Sequence, residues 1–118
     1  MRLPTEVNER YEMFLSDIKS TDMVYSAIDE SESFAAWSYD EGDAPLVLFW
    51  SRPEFVQEAI ESQFNGYGLC EITTDDFCHF LQDLEKQGYF IAVNWFPEMV
   101  GLEVNPSALL NKILLTNQ

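Results

Sequence analysis

The chain has few basic residues and no long apolar run, and each shortage excludes a broad class of proteins. Its 118 residues include 21 Asp and Glu but only six Lys and Arg, which gives a formal charge of −15. Such a surface repels the phosphates of nucleic acids and anionic lipids. No apolar run approaches the roughly 20 residues needed to cross a bilayer, and residues 1–13 lack the apolar centre of a signal peptide. We therefore expect a cytoplasmic protein with neither a nucleic-acid nor a membrane partner.

Cysteine and histidine are also scarce, with two Cys and one His in the whole chain. Two cysteines do not define a disulfide framework, and a structural zinc site takes four ligands. Cys78 and His79 are adjacent on a predicted helix, where their side chains point about 100° apart. Asp75 and Asp76 are explained by the positive end of that helix. The sequence thus predicts no catalytic residue, no metal ligand and no cofactor site.

Apolar and aromatic residues, in contrast, are plentiful at 47% and 14% of the chain. Their spacing divides the chain into helices and strands without a linker or a repeat. We expect residues 1–118 to form a single α+β domain, with about four helices packed on a mixed sheet of about five to six strands. The predicted helices cover residues 5–19, 52–62, 74–87 and 105–115; the predicted strands cover 23–28, 34–39, 46–50, 69–72, 89–94 and 100–104.

The succession of strands and helices in residues 45–115 is marked by start and stop signals. Leu46–Trp50 is an unbroken apolar run, as expected of a central strand covered on both faces. Ser51 to Glu54 has the sequence of a capping box, with Pro53 in the first turn. Thr73 and Gly88 are typical of the start and the end of the helix between them. Asn105 then caps a final helix whose apolar residues are expected to close the core: Leu109, Leu110, Ile113 and Leu114.

One predicted hairpin tip, Trp95 to Met99, is apolar where a tip is usually polar. Trp95 and Phe96 predict a lid folded onto the core, because aromatic residues are more often buried than exposed. If the segment is exposed instead, Trp95, Phe96 and Met99 form an interface, used for dimerisation or for a foreign partner. Both interpretations stay open at the level of sequence.

The order of these signals resembles that of a known family. The residues that carry the resemblance are mainly core and cap residues: Tyr11 to Leu15, Leu46 to Ser51, Phe55, Ala59, Phe64 to Tyr67, Glu71 to Phe77, Leu84, Gly88 to Val93, Val104 to Pro106 and Leu109. They are similar to those of the small bacterial domain of unknown function family DUF2750. The resemblance implies a small bacterial cytoplasmic protein and carries over no functional residue.

Three hypotheses for function remain. The first is a non-enzymatic protein that acts through protein–protein contact, with a basic protein or a second copy of the chain as partner. The second is an antagonist, an immunity protein or nucleic-acid mimic whose charge steers it onto a basic target. The third is an enzyme or small-ligand binder with a cleft near Asp76, Cys78 and His79.

Overall fold

Strands and helices follow one another along the chain in the order that the apolar pattern predicts. The computed structural model describes residues 7–38, 45–95 and 103–116. Within these residues four helices and five strands confirm the α+β class. The elements are α1 (Val7–Thr21), β1 (Met23–Ile28), β2 (Ala36–Trp37), β3 (Leu46–Phe49), α2 (Pro53–Ser62), β4 (Gly68–Thr73), α3 (Thr74–Gln87), β5 (Phe90–Val93) and α4 (Pro106–Thr116).

The strands form two ladders, a trio and a pair. In the trio, β3 pairs antiparallel with β2 and parallel with β5, so β3 is the central strand that its apolar run predicts. In the pair, β1 runs antiparallel to β4. The ladders are joined at single bridges, between Tyr25 and Trp50 and between Ile28 and Phe34. Next to the Tyr25 bridge, the Ser26 hydroxyl donates to the Leu48 carbonyl at 2.8 Å. At this position the carbonyl of β3 therefore bonds a side chain of β1.

The predicted return of residues 100–104 beside β5 is described only at its end. Val104 and Ile91 exchange two backbone hydrogen bonds of 2.8 and 3.0 Å as an antiparallel bridge. Residues 100–102 lie outside the described residues, as do the predicted Thr5 cap of α1 and Tyr39 at the end of the predicted second strand. That second strand is shorter than expected, with a ladder of Ala36–Trp37 preceded by the Phe34 bridge.

Both faces of the strands are covered by helices, which gives two apolar cores. Along β3 successive side chains alternate between these cores, as the pleat of a strand requires. The first core lies under α2: Ala27, Ala35, Leu46, Leu48, Trp50, Phe55, Val56, Ala59, Phe64, Ala92 and Trp95. The second lies under α1, α3 and α4: Phe14, Ile18, Val24, Val47, Phe49, Ile72, Phe77, Leu81, Ile91, Val93, Val104, Leu109 and Ile113.

The helix starts agree with the predictions at α3 and α4 but not at α2. The Thr73 hydroxyl accepts from the Asp76 amide at 3.2 Å, and the Asn105 side chain accepts from the Ala108 amide at 3.2 Å. The end of α3 is also as predicted, since Gly88 adopts the left-handed conformation at φ 81°.

The capping box predicted for Ser51 and Glu54 is wrong. Arg52 occupies the N-cap position and makes no side-chain capping bond, while Pro53 opens the helix as expected. The buried Ser51 hydroxyl instead donates to the Asp17 carboxylate at 2.6 Å. A capping hydroxyl accepts from an amide of the first helical turn, whereas the Ser51 oxygen accepts from the Asn94 side-chain nitrogen at 3.1 Å. Both bonds of the hydroxyl are therefore made with distant residues, and its bond to the carboxylate is the stronger kind.

The apolar face predicted for α4 is wrong at one position. Leu109 and Ile113 are fully buried and Leu110 packs against the second core, but Leu114 is 51% exposed. Leu109 and Ile113 are four residues apart and therefore share the buried stripe, whereas Leu114 is turned about 100° from Ile113.

Candidate functional site

The residue of the predicted interface that the structure describes is Trp95, and it belongs to the core. Trp95 is fully buried, and its ring centroid lies 5.0 Å from that of Trp37 and 6.3 Å from that of Phe64. Its carbonyl accepts a hydrogen bond of 2.9 Å from the Trp50 indole nitrogen. Phe96 and Met99 lie outside the described residues, so an interface there stays a prediction.

The residues of the third hypothesis lie along α3. Asp76 and His79 are exposed, whereas Cys78 is half-buried and packs against the second core. Burial, together with the charge of Asp75, raises the pKa of the Cys78 thiol, so at neutral pH it carries its proton and is a weak nucleophile. No group of three or more His, Cys, Asp or Glu in the described ranges is arranged to hold a metal ion.

A buried polar cluster joins α1 to the carboxyl ends of the parallel strands β3 and β5, an edge where α/β proteins often place their sites. We call Asp17, Ser51, Arg52, Asn94 and Arg10 the strand-end cluster. Asn94 is at its centre: its side-chain oxygen accepts from the Ser51 amide at 2.9 Å, and its side-chain nitrogen donates to the Ser51 hydroxyl at 3.1 Å. Arg10, only 2% exposed, donates to the Asn94 carbonyl at 3.2 Å.

Asp17 forms the outer part of the strand-end cluster. Its carboxylate accepts from the Ser51 hydroxyl at 2.6 Å and from two nitrogens of Arg52 at 2.9 and 3.1 Å. The hydrogen bond with Asp17 raises the pKa of the Arg52 guanidinium, opposed in part by desolvation. The Ser51 hydroxyl both donates and accepts within the cluster, and its bond to Asp17 links α1 to the start of α2. Its role is therefore structural.

The described surface includes a groove and a shallower depression. A groove of about 480 Å³ separates α1 from α4, with Tyr11, Glu12, Glu103 and Lys112 among its lining residues. A shallower depression of about 360 Å³ lies between the β1–β2 turn and the turn before β4, and Asp29, Glu30 and Tyr67 line it. Neither includes Asp76, Cys78 or His79.

The surface is more strongly acidic than the composition alone conveys. Every carboxylate of the described residues is exposed except Asp17 and Asp29, which are half-buried. The cations are distributed differently: Arg10 is buried, and Arg52 is paired with Asp17. In the described ranges this leaves three lysines, Lys19, Lys86 and Lys112, as the exposed basic side chains.

The strand β4 presents an open edge within this acidic surface. Among the described residues β4 pairs with β1 alone. Tyr25 exchanges both of its backbone hydrogen bonds with Trp50, so its amide and carbonyl point away from β4. In an antiparallel ladder the residue opposite such a position also points its amide and carbonyl outward. Tyr25 lies opposite Glu71, and the outward-facing residues of β4 are therefore Leu69, Glu71 and Thr73.

Sequence reasoning identified β4 as a strand but not as the edge. The available signal was Glu71, a charged residue inside the strand, whereas β3 and β5 contain none. Inward charges and charged side chains are typical of edge strands, which must avoid pairing with other copies. The pairing partner of β4, however, depends on contacts far apart in sequence.

Comparison with known proteins identifies a family whose function is not known. A family model described as "Protein of unknown function (DUF2750)" matches residues 11–113. That range runs from within α1 to within α4 and contains the β4 edge and, apart from Arg10, the strand-end cluster. A search of the curated proteins found no match. Within the described ranges, none of the helices has the length and apolar character of a membrane span.

Proposed function

The chain belongs to the DUF2750 family, and from the distribution of charge over its surface we propose that it is a non-enzymatic protein of the bacterial cytoplasm that binds a basic protein partner. The observation that carries this proposal is the separation of charges between surface and interior. Carboxylates remain in water, while Arg10 and Arg52 are engaged inside the molecule or against Asp17. A surface of one sign attracts oppositely charged proteins over about 8–10 Å at physiological salt and raises their association rate.

The chemistry of the buried polar groups supports the non-enzymatic part of the proposal. In the strand-end cluster the Ser51 hydroxyl gives its hydrogen to Asp17, and the one histidine of the chain lies elsewhere, exposed on α3. Nucleophilic serine catalysis requires a base that takes the proton and a site open to substrate, whereas Ser51 is 1% exposed. Burial also raises the pKa of both thiols, Cys70 and Cys78, which disfavours thiolate chemistry.

An antagonist of a basic enzyme or nuclease is one form that such a protein takes. In that case the partner's active site is the basic surface, and binding inhibits the partner. If the partner is a scaffold or regulator instead, binding leaves its activity unchanged. An inhibition assay on the purified partner therefore separates the two forms.

The groove between α1 and α4 favours small-ligand binding as a second candidate function. Its volume of about 480 Å³ falls in the usual range for ligand pockets, which is roughly 300–1,000 Å³. Tyr11 and Leu15 supply apolar contact and Glu12, Glu103 and Lys112 supply charges. A thermal-shift screen with metabolites tests this candidate, and Ala108→Trp, which fills the groove from its exposed α4 wall, is the matched variant.

The direct test of the proposed function is capture of the partner in the producing cell, followed by reconstitution from purified components. We expect a partner with a basic isoelectric point whose affinity falls about tenfold or more as salt is raised from low to physiological strength. Replacing Glu54, Glu58 and Glu61 of α2 by Gln is expected to weaken binding, whereas Gln57→Ala on the same exposed helix surface is the control. An acidic partner, or an affinity that does not change with salt, would refute the proposal.

A further inference from the structure

The outward edge of β4 offers backbone groups that no other described residue uses. The amides and carbonyls of Leu69 and Glu71 and the amide of Thr73 point away from β1, and the Thr73 carbonyl begins the hydrogen bonding of α3. An independent contact agrees with this alternation. Thr74 follows Thr73, so the alternation predicts that its amide faces the β1 side. The Thr74 amide indeed donates to the Asp22 carbonyl, which precedes β1, at 3.3 Å. The edge is therefore a template for one further strand.

A second copy of the chain is a poor occupant of this edge. A two-fold antiparallel pairing of β4 with itself brings Glu71 opposite or diagonal to the same residue of the other copy. Like charges across a strand pair are destabilising. Each chain also carries a formal charge of −15, which opposes self-association.

Carboxylates lie on β4 and in the β1–β2 turn near it. The side chain of Glu71 lies on the same face as Leu69, which packs against the core under α2. On the opposite face Cys70 packs against the second core. Burial raises the pKa of its thiol, and the charges of Glu32 and Glu71 raise it further, so both carboxylates lie near this strand. No Lys or Arg occurs between Arg52 and Lys86, so no cation of β4 or its adjoining turns offsets these charges.

From this geometry we propose that the β4 edge is the docking site for an extended segment of the partner, which adds to the sheet as a strand and carries Lys or Arg side chains. The inference rests on the proposed function and specifies its binding mode. Main-chain hydrogen bonds from Leu69, Glu71 and Thr73 give the register, and the flanking carboxylates select basic side chains. Strand addition therefore requires backbone amides in the partner segment, whereas simple attraction between charges does not.

The test compares two peptides of equal charge. The first has the sequence Thr-Lys-Lys-Thr-Lys-Lys-Thr with blocked ends, and the second is the same peptide with every internal amide N-methylated. The methylated peptide keeps its lysines but has no amide hydrogen to donate to the edge. We expect it to bind at least about tenfold more weakly, as the loss of two or three hydrogen bonds implies. In hydrogen exchange, the plain peptide is expected to protect the amides of Leu69, Glu71 and Thr73.

A pair of variants makes the same distinction on the protein. Glu71→Pro removes an outward amide without breaking the bonds between β4 and β1, and we expect it to weaken the plain peptide far more than the methylated one. Glu85→Gln, on exposed α3, removes the same charge away from the edge and is expected to change both affinities equally and slightly. If Glu71→Pro unfolds the chain, the two peptides on the unaltered protein still decide the question.

Each outcome has a defined meaning. Equal, salt-sensitive binding of the two peptides would overturn strand addition while leaving the proposed binding of a basic partner intact. Absence of binding by either peptide at low salt would overturn the docking site, and the captured partner then decides the proposed function separately. Protection confined to residues outside β4 would also overturn it.

Discussion

Replacing Asn94 by Ala tests how much the strand-end cluster contributes to stability. Asn94 is fully buried and has a positive φ of 50°, a conformation that Asn tolerates and Ala does not. The substitution leaves the buried Ser51 amide without its acceptor, which costs about 1–3 kcal/mol. Loss of the bonds from the side-chain nitrogen adds about 1 kcal/mol, and the left-handed backbone adds about 1–2 kcal/mol for Ala. We expect the free energy of unfolding to fall by about 3–6 kcal/mol.

Urea denaturation followed by tryptophan fluorescence measures this loss, since Trp50 and Trp95 are both buried beside the cluster. Asn94→Gly is the matched control, because it removes the same hydrogen bonds but adopts a positive φ without strain. We expect it to be about 1 kcal/mol less destabilising than the Ala variant. A loss below about 1 kcal/mol for Ala would refute the structural role of the cluster, and equal losses for Ala and Gly would refute the strain component.

Three further predictions concern α1, β4 and the thiols. Asp17→Ala is expected to destabilise the fold by about 2 kcal/mol, because it removes the bonds to the Ser51 hydroxyl and to the half-exposed Arg52. Asp17→Asn keeps an acceptor and is expected to cost about half as much; urea titrations measure both losses. Cys70→Pro removes an amide that faces β1 and is expected to destabilise the fold by at least about 2 kcal/mol. Glu71→Pro removes an outward amide and is expected to cost less than about 1 kcal/mol. Equal losses in the two variants would contradict the register of β4. Burial raises the pKa of Cys70 and of Cys78, so the folded chain holds these protons to higher pH than the unfolded chain does. The free energy of unfolding is therefore expected to fall as pH rises through the ordinary thiol pKa of about 8.5. Urea titrations at several pH values across this range measure the fall. The Cys70→Ala, Cys78→Ala double variant is expected to lack the share of the fall that the two thiols cause.

The elements and the cores follow from local pattern. The apolar run Leu46–Phe49 implies a strand covered on both faces, and each of its four residues is buried. Thr73 and Gly88 delimit α3 because a hydroxyl cap and a left-handed glycine act within a few residues of their own position. Ile91 and Val93 line the second core rather than an open hollow, as the apolar composition of β5 implies.

The strand-end cluster and the β4 edge depend instead on distant partners. The local sequence predicts that Ser51 caps α2, but in the fold its hydroxyl donates to Asp17, which lies 34 residues earlier. Asn94 gives no local sign of its contacts with Ser51 and Arg10, which are 43 and 84 residues away. Periodicity assigns faces to a strand but not neighbours, so the exposed edge of β4 emerges from the register alone.

In the described ranges most large apolar side chains are used within the two cores, and the acidic edge of β4 is an open edge of its ladder. Residue-resolved hydrogen exchange of the free protein is the direct test of this arrangement. We expect an alternation along β4, with slow exchange at the amides of Cys70 and Ile72, which face β1, and fast exchange at those of Leu69, Glu71 and Thr73. Uniformly slow exchange along β4, or the opposite alternation, would show that the edge is covered or that the register of β4 is wrong.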